Sequence, residues 1–313
     1  MMRALAGIIV AGPLQAVLIV ALFTALSFLA PPLTSILSYA GAAALALYSL
    51  HVGARSGAIV LLGAMLVTGL LTEMLWHQGM TIAVTSLLLW FPVWLVAVVL
   101  RETRSLAMAM LALSALAMAG ILLAFLWFGD PSQWWLERLS GLINSLADQP
   151  EIEIDTGSLH EFAEQVAPFM TGSLAAGLSF AALTCLMLGR WWQSQMVKPG
   201  ALRKEFYALR LNRMLSLLAV GIFALAALKF GSVSALALQW SLVVLVPFLF
   251  VGLAVVHRVA TVKGTNRVWL VVLYGLLLIM PQATVVLAVV GIMDAWVRFR
   301  DRVERSSAGP GDE

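Results

Sequence analysis

Charge is what this chain has least of. Only 11% of its 313 residues are Asp, Glu, Lys or Arg, and 62% are hydrophobic. A soluble domain carries about 25% charged residues. A surface so poor in charge must largely face lipid, in keeping with the mean hydropathy of +0.97. Cysteine is nearly missing too. The single Cys185 excludes an internal disulfide, and its apolar run marks it as a small packed residue. Signatures of catalysis and nucleotide binding are absent: there is no GxxxxGK(S/T), HExxH, GxSxG or CxxC. The chain therefore reads as a non-enzyme with no cofactor. Its formal net charge of +3 does not point to nucleic acid, because the basic residues sit beside apolar runs as topology signals do.

What is there is a series of apolar runs, at about 5–30, 33–50, 57–72, 80–100, 105–128, 169–189, 214–228, 233–256, 268–280 and 282–297. A helical bilayer crossing takes about 20 apolar residues. Barrel strands alternate in polarity over about 10 residues, and these runs do not alternate. In hydrocarbon every backbone N–H needs an internal partner, which a helix supplies. The sequence predicts an all-α fold, a polytopic transmembrane helical bundle of eight to ten spans. Met1-Met2-Arg3 and the apolar residues to Ala30 look like a signal peptide. The apolar part exceeds an h-region of about 7–15 residues, so it is read as an uncleaved first span.

Lys and Arg residues fall into alternate gaps between the runs. With Arg3 inside, seventeen of the nineteen are cytoplasmic and only Arg138 and Lys229 lie outside. Cytoplasmic loops carry the Lys/Arg excess, which places both termini in the cytoplasm of a bacterial inner-membrane, multi-pass protein. Met280-Pro281 is either a hairpin tip or a break in a re-entrant pair, the difference between ten spans and eight plus a half-crossing. One transmembrane domain is expected over 1–305, followed by a polar, disordered tail at 306–313.

Two gaps exceed what a connection needs. The acidic extracytoplasmic segment 129–168 holds eight of the sixteen acidic residues. Trp135, Leu139, Leu142 and Leu146 share a helical face suited to the membrane interface. An acidic stretch from Asp148 to Asp155 follows. Ser158 with Glu161 then fits a capping box that opens a second short helix. Glu151, Glu153 and Asp155 have cation-ligand spacing, but the glycine and final glutamate of a calcium loop are missing. The cytoplasmic segment 190–213 is basic, with Leu202, Phe206 and Leu209 forming an apolar stripe. Arg203, Lys204, Phe206 and Arg210 are its candidates for contact with anionic lipid or a protein partner.

Ionisable groups in or beside spans are costly and are candidates for function. Glu73 and His77, four residues apart, either bind a proton or metal together or mark the end of a span. Asp294 is expected to pair with Arg298 one turn later. Trp90 and Trp94 form either an aromatic wall for a solute or packing at an aromatic belt. Ala40 with Ala44, Gly172 with Ala176, and Ala112, Ala115 and Ala119 have the spacing of close helix packing.

Three stretches carry a family resemblance: Tyr39-Ala-Gly-Ala through His51-Val-Gly-Ala-Arg-Ser-Gly57, Glu205-Phe-Tyr-Ala-Leu-Arg-Leu-Asn-Arg213, and Val290-Gly-Ile-Met-Asp294-Ala-Trp-Val-Arg-Phe-Arg300. Through them nearly the whole chain resembles the YybS-like family of uncharacterised bacterial polytopic membrane proteins. That family is distantly similar to the substrate-binding S components of energy-coupling-factor transporters. The resemblance implies a solute-binding bundle that docks on a membrane coupling subunit and two ATPases, and it assigns no ligand residue. The chain departs from that pattern in having more spans and a long acidic insertion. Two functions are expected to compete: a solute-binding or transport component, and a structural or assembly factor of the envelope acting through a membrane or cytoplasmic protein partner.

Overall fold

The computed structural model describes residues 2–30, 33–148, 155–228, 230–266 and 268–307. Among them every regular element is a helix: α1 (Met2–Val10), α2 (Pro13–Ser27), α3 (Ile36–Val52), α4 (Ala54–Trp76), α5 (Gly79–Thr103), α6 (Leu106–Phe128), α7 (Pro131–Ala147), α8 (Thr156–Val166), a 3-10 turn (Ala167–Phe169), α9 (Met170–Val197), α10 (Ala201–Tyr207), α11 (Arg213–Ala227), α12 (Ser232–Val262), α13 (Val268–Ile279), α14 (Gln282–Val297) and α15 (Phe299–Ser307). Each apolar run is helical. Among the described residues five stretches are long and apolar enough to cross a membrane: α4, α5, α6, α12, and the continuous run of α8, the 3-10 turn and α9. Two bent pairs, α1 with α2 and α13 with α14, raise this to seven if each is one span. The apolar helices α3 and α11 are shorter, at 17 and 15 residues.

The first run is not one straight span. Pro13 lacks an N–H and its ring clashes with the preceding turn, so a helix ends before it and a new one starts there. The halves are bent by 120°. The pair around Met280-Pro281 is bent by the same angle. Of the polar tail, Ser306 and Ser307 end α15, while 308–313 lie outside the described residues. So do Pro31-Pro32, Lys229, and Glu151 and Glu153 of the acidic stretch.

The chain forms two compact units. The first comprises Met1–Leu113 and Leu178–Arg210 and is centred on α3. From Gly41 to Leu50 every residue of α3 is buried. Its Gly and Ala side chains let neighbouring backbones come close. Gly189 of α9 shows how close: a Cβ there would lie 2.7 Å from the Ala43 carbonyl oxygen. Gly53 turns the chain from α3 into α4 at φ 135°, a conformation that L side chains rarely adopt. Gly57 has a packing role instead. It lies within α4, where a Cβ would collide with Ser49 and touch Trp94 at 3.1 Å.

The second unit comprises Ser114–Gly177 and Leu211–Glu313, with α12 at its centre. Two glycines set the crossing of α12 with α14. A Cβ on Gly252 would collide with the Leu287 carbonyl, and one on Gly291 with the Phe248 carbonyl oxygen. Gln239, buried in α12, accepts the Gly172 N–H through Oε1 and donates through Nε2 to the Pro168 carbonyl at 2.5 Å. It thereby satisfies backbone groups where the 3-10 turn interrupts the regular helix ladder. Trp240 Nε1 donates to the Met118 carbonyl at 3.1 Å and ties α12 to α6 within this unit.

Candidate functional site

Within the first unit the expected ligand residues Glu73 and His77, Trp90, and Trp94 occupy separate settings, and Asp294 belongs to the second unit. Glu73 and His77 meet at the corner between α4 and α5. The Glu73 carboxylate accepts the Gly79 N–H at 2.8 Å, satisfying a free donor at the start of α5. His77 closes α4 in the left-handed conformation, φ 55°, and its backbone N–H donates to the Glu73 carbonyl at 3.0 Å. Both side chains are exposed. Glu73 also edges a shallow apolar groove of about 380 Å³, lined mainly by Leu62, Leu66, Leu70 and Met80. Its job at this corner is to cap a helix.

Trp90 and Trp94 share α5 but not a surface. Trp90 is 1% exposed, inside the core of the first unit. Trp94 is half-buried, and its Nε1 donates to the Ala54 carbonyl at 3.0 Å, bracing the turn between α3 and α4. Phe91 lies beside Trp94 with ring centroids 6.0 Å apart.

Asp294 is the buried ionisable group of α14, but its partner is not the expected Arg298. Arg298 takes a left-handed conformation, φ 52°, and its N–H caps the Asp294 carbonyl at 3.1 Å. That reversal brings Arg300 of α15 back over the helix end, where Nη2 meets Asp294 Oδ2 at 2.5 Å. The two residues are 4% and 2% exposed, and Asp294 Oδ1 has no hydrogen-bond partner.

The acidic segment folds as two helices. Asp130 caps α7, accepting the Ser132 N–H at 2.9 Å. Trp135 Nε1 donates to Thr171 Oγ1 at 2.9 Å, which anchors α7 to α9 inside the second unit. The cap of α8 is Asp155, not the expected Ser158. Its carboxylate accepts the Gly157 and Ser158 N–H groups and the Ser158 hydroxyl at 3.0, 3.3 and 2.5 Å. The Ser158 bonds above all hold the Asp155 pKa below its ordinary value of 3.8.

In the basic segment, Arg203, Lys204 and Arg210 are exposed and Phe206 is half-buried. The Arg203 guanidinium lies over the Tyr207 ring, 5.2 Å from its centroid. Glu205, the lone acid of this segment, takes both arms of Arg190: Nε donates to Oε2 at 3.0 Å and Nη2 pairs with Oε1. This pair joins α10 to α9.

A cluster missed by sequence reasoning lies in the first unit, at the ends of α3 and α5 beside the last turns of α9 and α10. Arg101 Nη1 donates to the carbonyls of Leu50 and His51 at 2.6 and 2.8 Å, capping the C-terminus of α3. Arg101, Arg104, Arg190, Gln193 and Glu205 line a cavity of about 260 Å³ with polar and apolar walls. Spacing gives no hint of it, because Arg101 and Arg104 are separated by more than eighty residues from Arg190, Gln193 and Glu205. The available signal was that Arg101 and Arg190 each follow directly on an apolar run, with Arg104 just before the next one. Among the described residues no three His, Cys, Asp or Glu side chains group for a metal.

No curated protein and no solved structure matches the chain. A family model described as "Predicted membrane protein (DUF2232)" matches residues 135–295, just over half the length, from Trp135 of α7 to the residue after Asp294. The chain belongs to this DUF2232 family of membrane proteins, whose function is not known.

Proposed function

We propose that this protein is a multi-pass component of the bacterial plasma membrane that binds a small solute and takes part in its transport. One observation carries the reading: each unit contains an apolar helix pair broken at proline and bent by 120°, α1–α2 and α13–α14. Broken helices at membrane depth are tolerated where they are enclosed by protein or line a watery cavity. Paired discontinuous helices are a recurring element of solute sites in transporters. The buried Asp294–Arg300 pair in the second unit fits the same chemistry, since ionisable groups within membrane segments serve solute or proton pathways. The reading counts the broken first run, five long stretches and the short α3 and α11 as eight crossings. The α13–α14 pair adds a half-crossing hairpin or two further spans, with both termini cytoplasmic. It is also the reading to which similarity to the YybS-like family and to energy-coupling-factor S components leads.

The test is a thermal-unfolding screen of the purified protein against a broad set of metabolites. A hit should raise the unfolding temperature saturably. Replacing Pro13 or Pro281 with alanine should then weaken binding by about tenfold or more. No stabilising solute, together with no co-purifying ATPase subunit, sinks the proposal. A second reading, an envelope assembly factor, is favoured by Leu142 of α7 and Phe162 of α8, which stand exposed among acidic residues. A photo-crosslinker at Phe162 capturing one reproducible protein in native membranes is its expected signature.

A further inference from the structure

We propose that the cavity framed by Arg101, Arg104 and Arg190 binds a phosphate group. Three guanidinium groups face one carboxylate there, leaving a formal charge of +2 around about 260 Å³. That space is roomy against the roughly 30 Å³ of a single water. Glu205 is fully occupied by the two-armed bond to Arg190, and Arg190 Nη1 also donates to Gln193 Oε1 at 2.5 Å. Glu205 therefore cannot neutralise the other two arginines. Arg101 commits only Nη1, to the α3 carbonyls, which fixes the plane of its guanidinium and leaves its remaining donors for a ligand. Arg104 is exposed; its backbone N–H caps the Leu100 carbonyl at 2.9 Å, and its guanidinium is at the cavity. Its left-handed backbone, φ 53°, ends α5 at the cavity.

A planar guanidinium fork matches phosphate oxygens two at a time, which a carboxamide or hydroxyl cannot do. Clustered like charges in excess of their counter-charge repel one another, and a bound anion with several acceptor oxygens removes that cost. The site lies where the apolar stretches of α3, α5 and α9 finish, the level at which lipid headgroups lie. Basic pockets at the cytoplasmic ends of spans take anionic headgroups. The phosphate belongs either to such a headgroup or to a free phosphate. Solute handling is not a premise of this site: a metabolite screen that yields nothing leaves the following titration fully readable.

The experiment uses the full chain in an uncharged detergent. Its unfolding temperature is followed while short-chain phosphatidylglycerol, phosphatidylcholine of equal chain length, or inorganic phosphate is added at constant ionic strength. Phosphatidylglycerol should raise the temperature saturably and phosphatidylcholine should not. Arg104→Asn keeps a residue tolerant of the left-handed conformation and should weaken the effect about tenfold, the worth of one charge-assisted hydrogen bond. Lys263→Asn, an exposed cation of the second unit, should leave it unchanged. Inorganic phosphate saturating as tightly as the lipid identifies the soluble source, and the lipid binding far more tightly identifies the headgroup. If neither anion saturates, or if Arg104→Asn does no more than Lys263→Asn, the site does not exist.

Discussion

At the scale of single residues, partner choice matters more than residue type. Asp294→Ala leaves Arg300 buried without its carboxylate, and breaking one side of a buried pair costs about 3–5 kcal/mol. Arg298→Ala removes only a side chain beyond the helix cap and should cost well under 1 kcal/mol. Reversible unfolding in mixed micelles separates the two. The i, i+4 rule pointed to Arg298, because that rule holds only while the helix continues. The left-handed turn at Arg298 ends it and delivers Arg300 instead. Asp155 offers a pH test. Its pKa is lowered in the folded protein, so the cap contributes stability above the ordinary value of 3.8 and loses it as pH falls through the lower folded value. Amide exchange at Gly157 and Ser158 should accelerate in that acid range. In Asp155→Ala it should already be fast at neutral pH. The cap was misread in the sequence because Ser158 and Glu161 satisfy a capping pattern, while Asp155 has the same capacity one turn earlier.

At the scale of elements, close backbone contact makes glycine positions unequal. Gly252→Ala or Gly291→Ala forces α12 and α14 apart and should destabilise by about 1–3 kcal/mol, the usual cost of overpacking. The double variant should cost less than the sum, since both report on one crossing. Gly120→Ala, where nothing lies within 4 Å, should be neutral or stabilising by about 0.4–1 kcal/mol. Thermal unfolding of the four proteins checks the set. Helices themselves were legible in the sequence, since every apolar run is helical, although the first is broken into α1 and α2. The small-residue pairs were legible only as packing. Gly172 with Ala176 did not reveal that Gly172 lies on Gln239, because contact across α9 and α12 depends on how the chain returns. The arginine cavity was hidden for the same reason: Arg101 caps a helix that ends about fifty residues before it.

At the scale of the whole molecule, the basic residues predict an orientation that can be tested chemically. In a Cys185→Ala background, single cysteines at Arg104 and Lys198 should react with a membrane-impermeant maleimide only after the cytoplasmic face is opened. Cysteines at Ser145 and Ser158 should react in intact cells. Reaction of both sets from one side overturns the seventeen-to-two assignment. The number of crossings was not legible in the sequence, because α1–α2 and α13–α14 break at proline and α3 is short. The shortness of α3 has its own meaning. From Gly41 to Leu50 it meets protein on every side, so it has no hydrocarbon thickness to match. When the protein is reconstituted in lipids of longer or shorter acyl chains, mismatch strain falls on the lipid-facing helices around it. The centre of the first unit is insulated from the membrane that holds it.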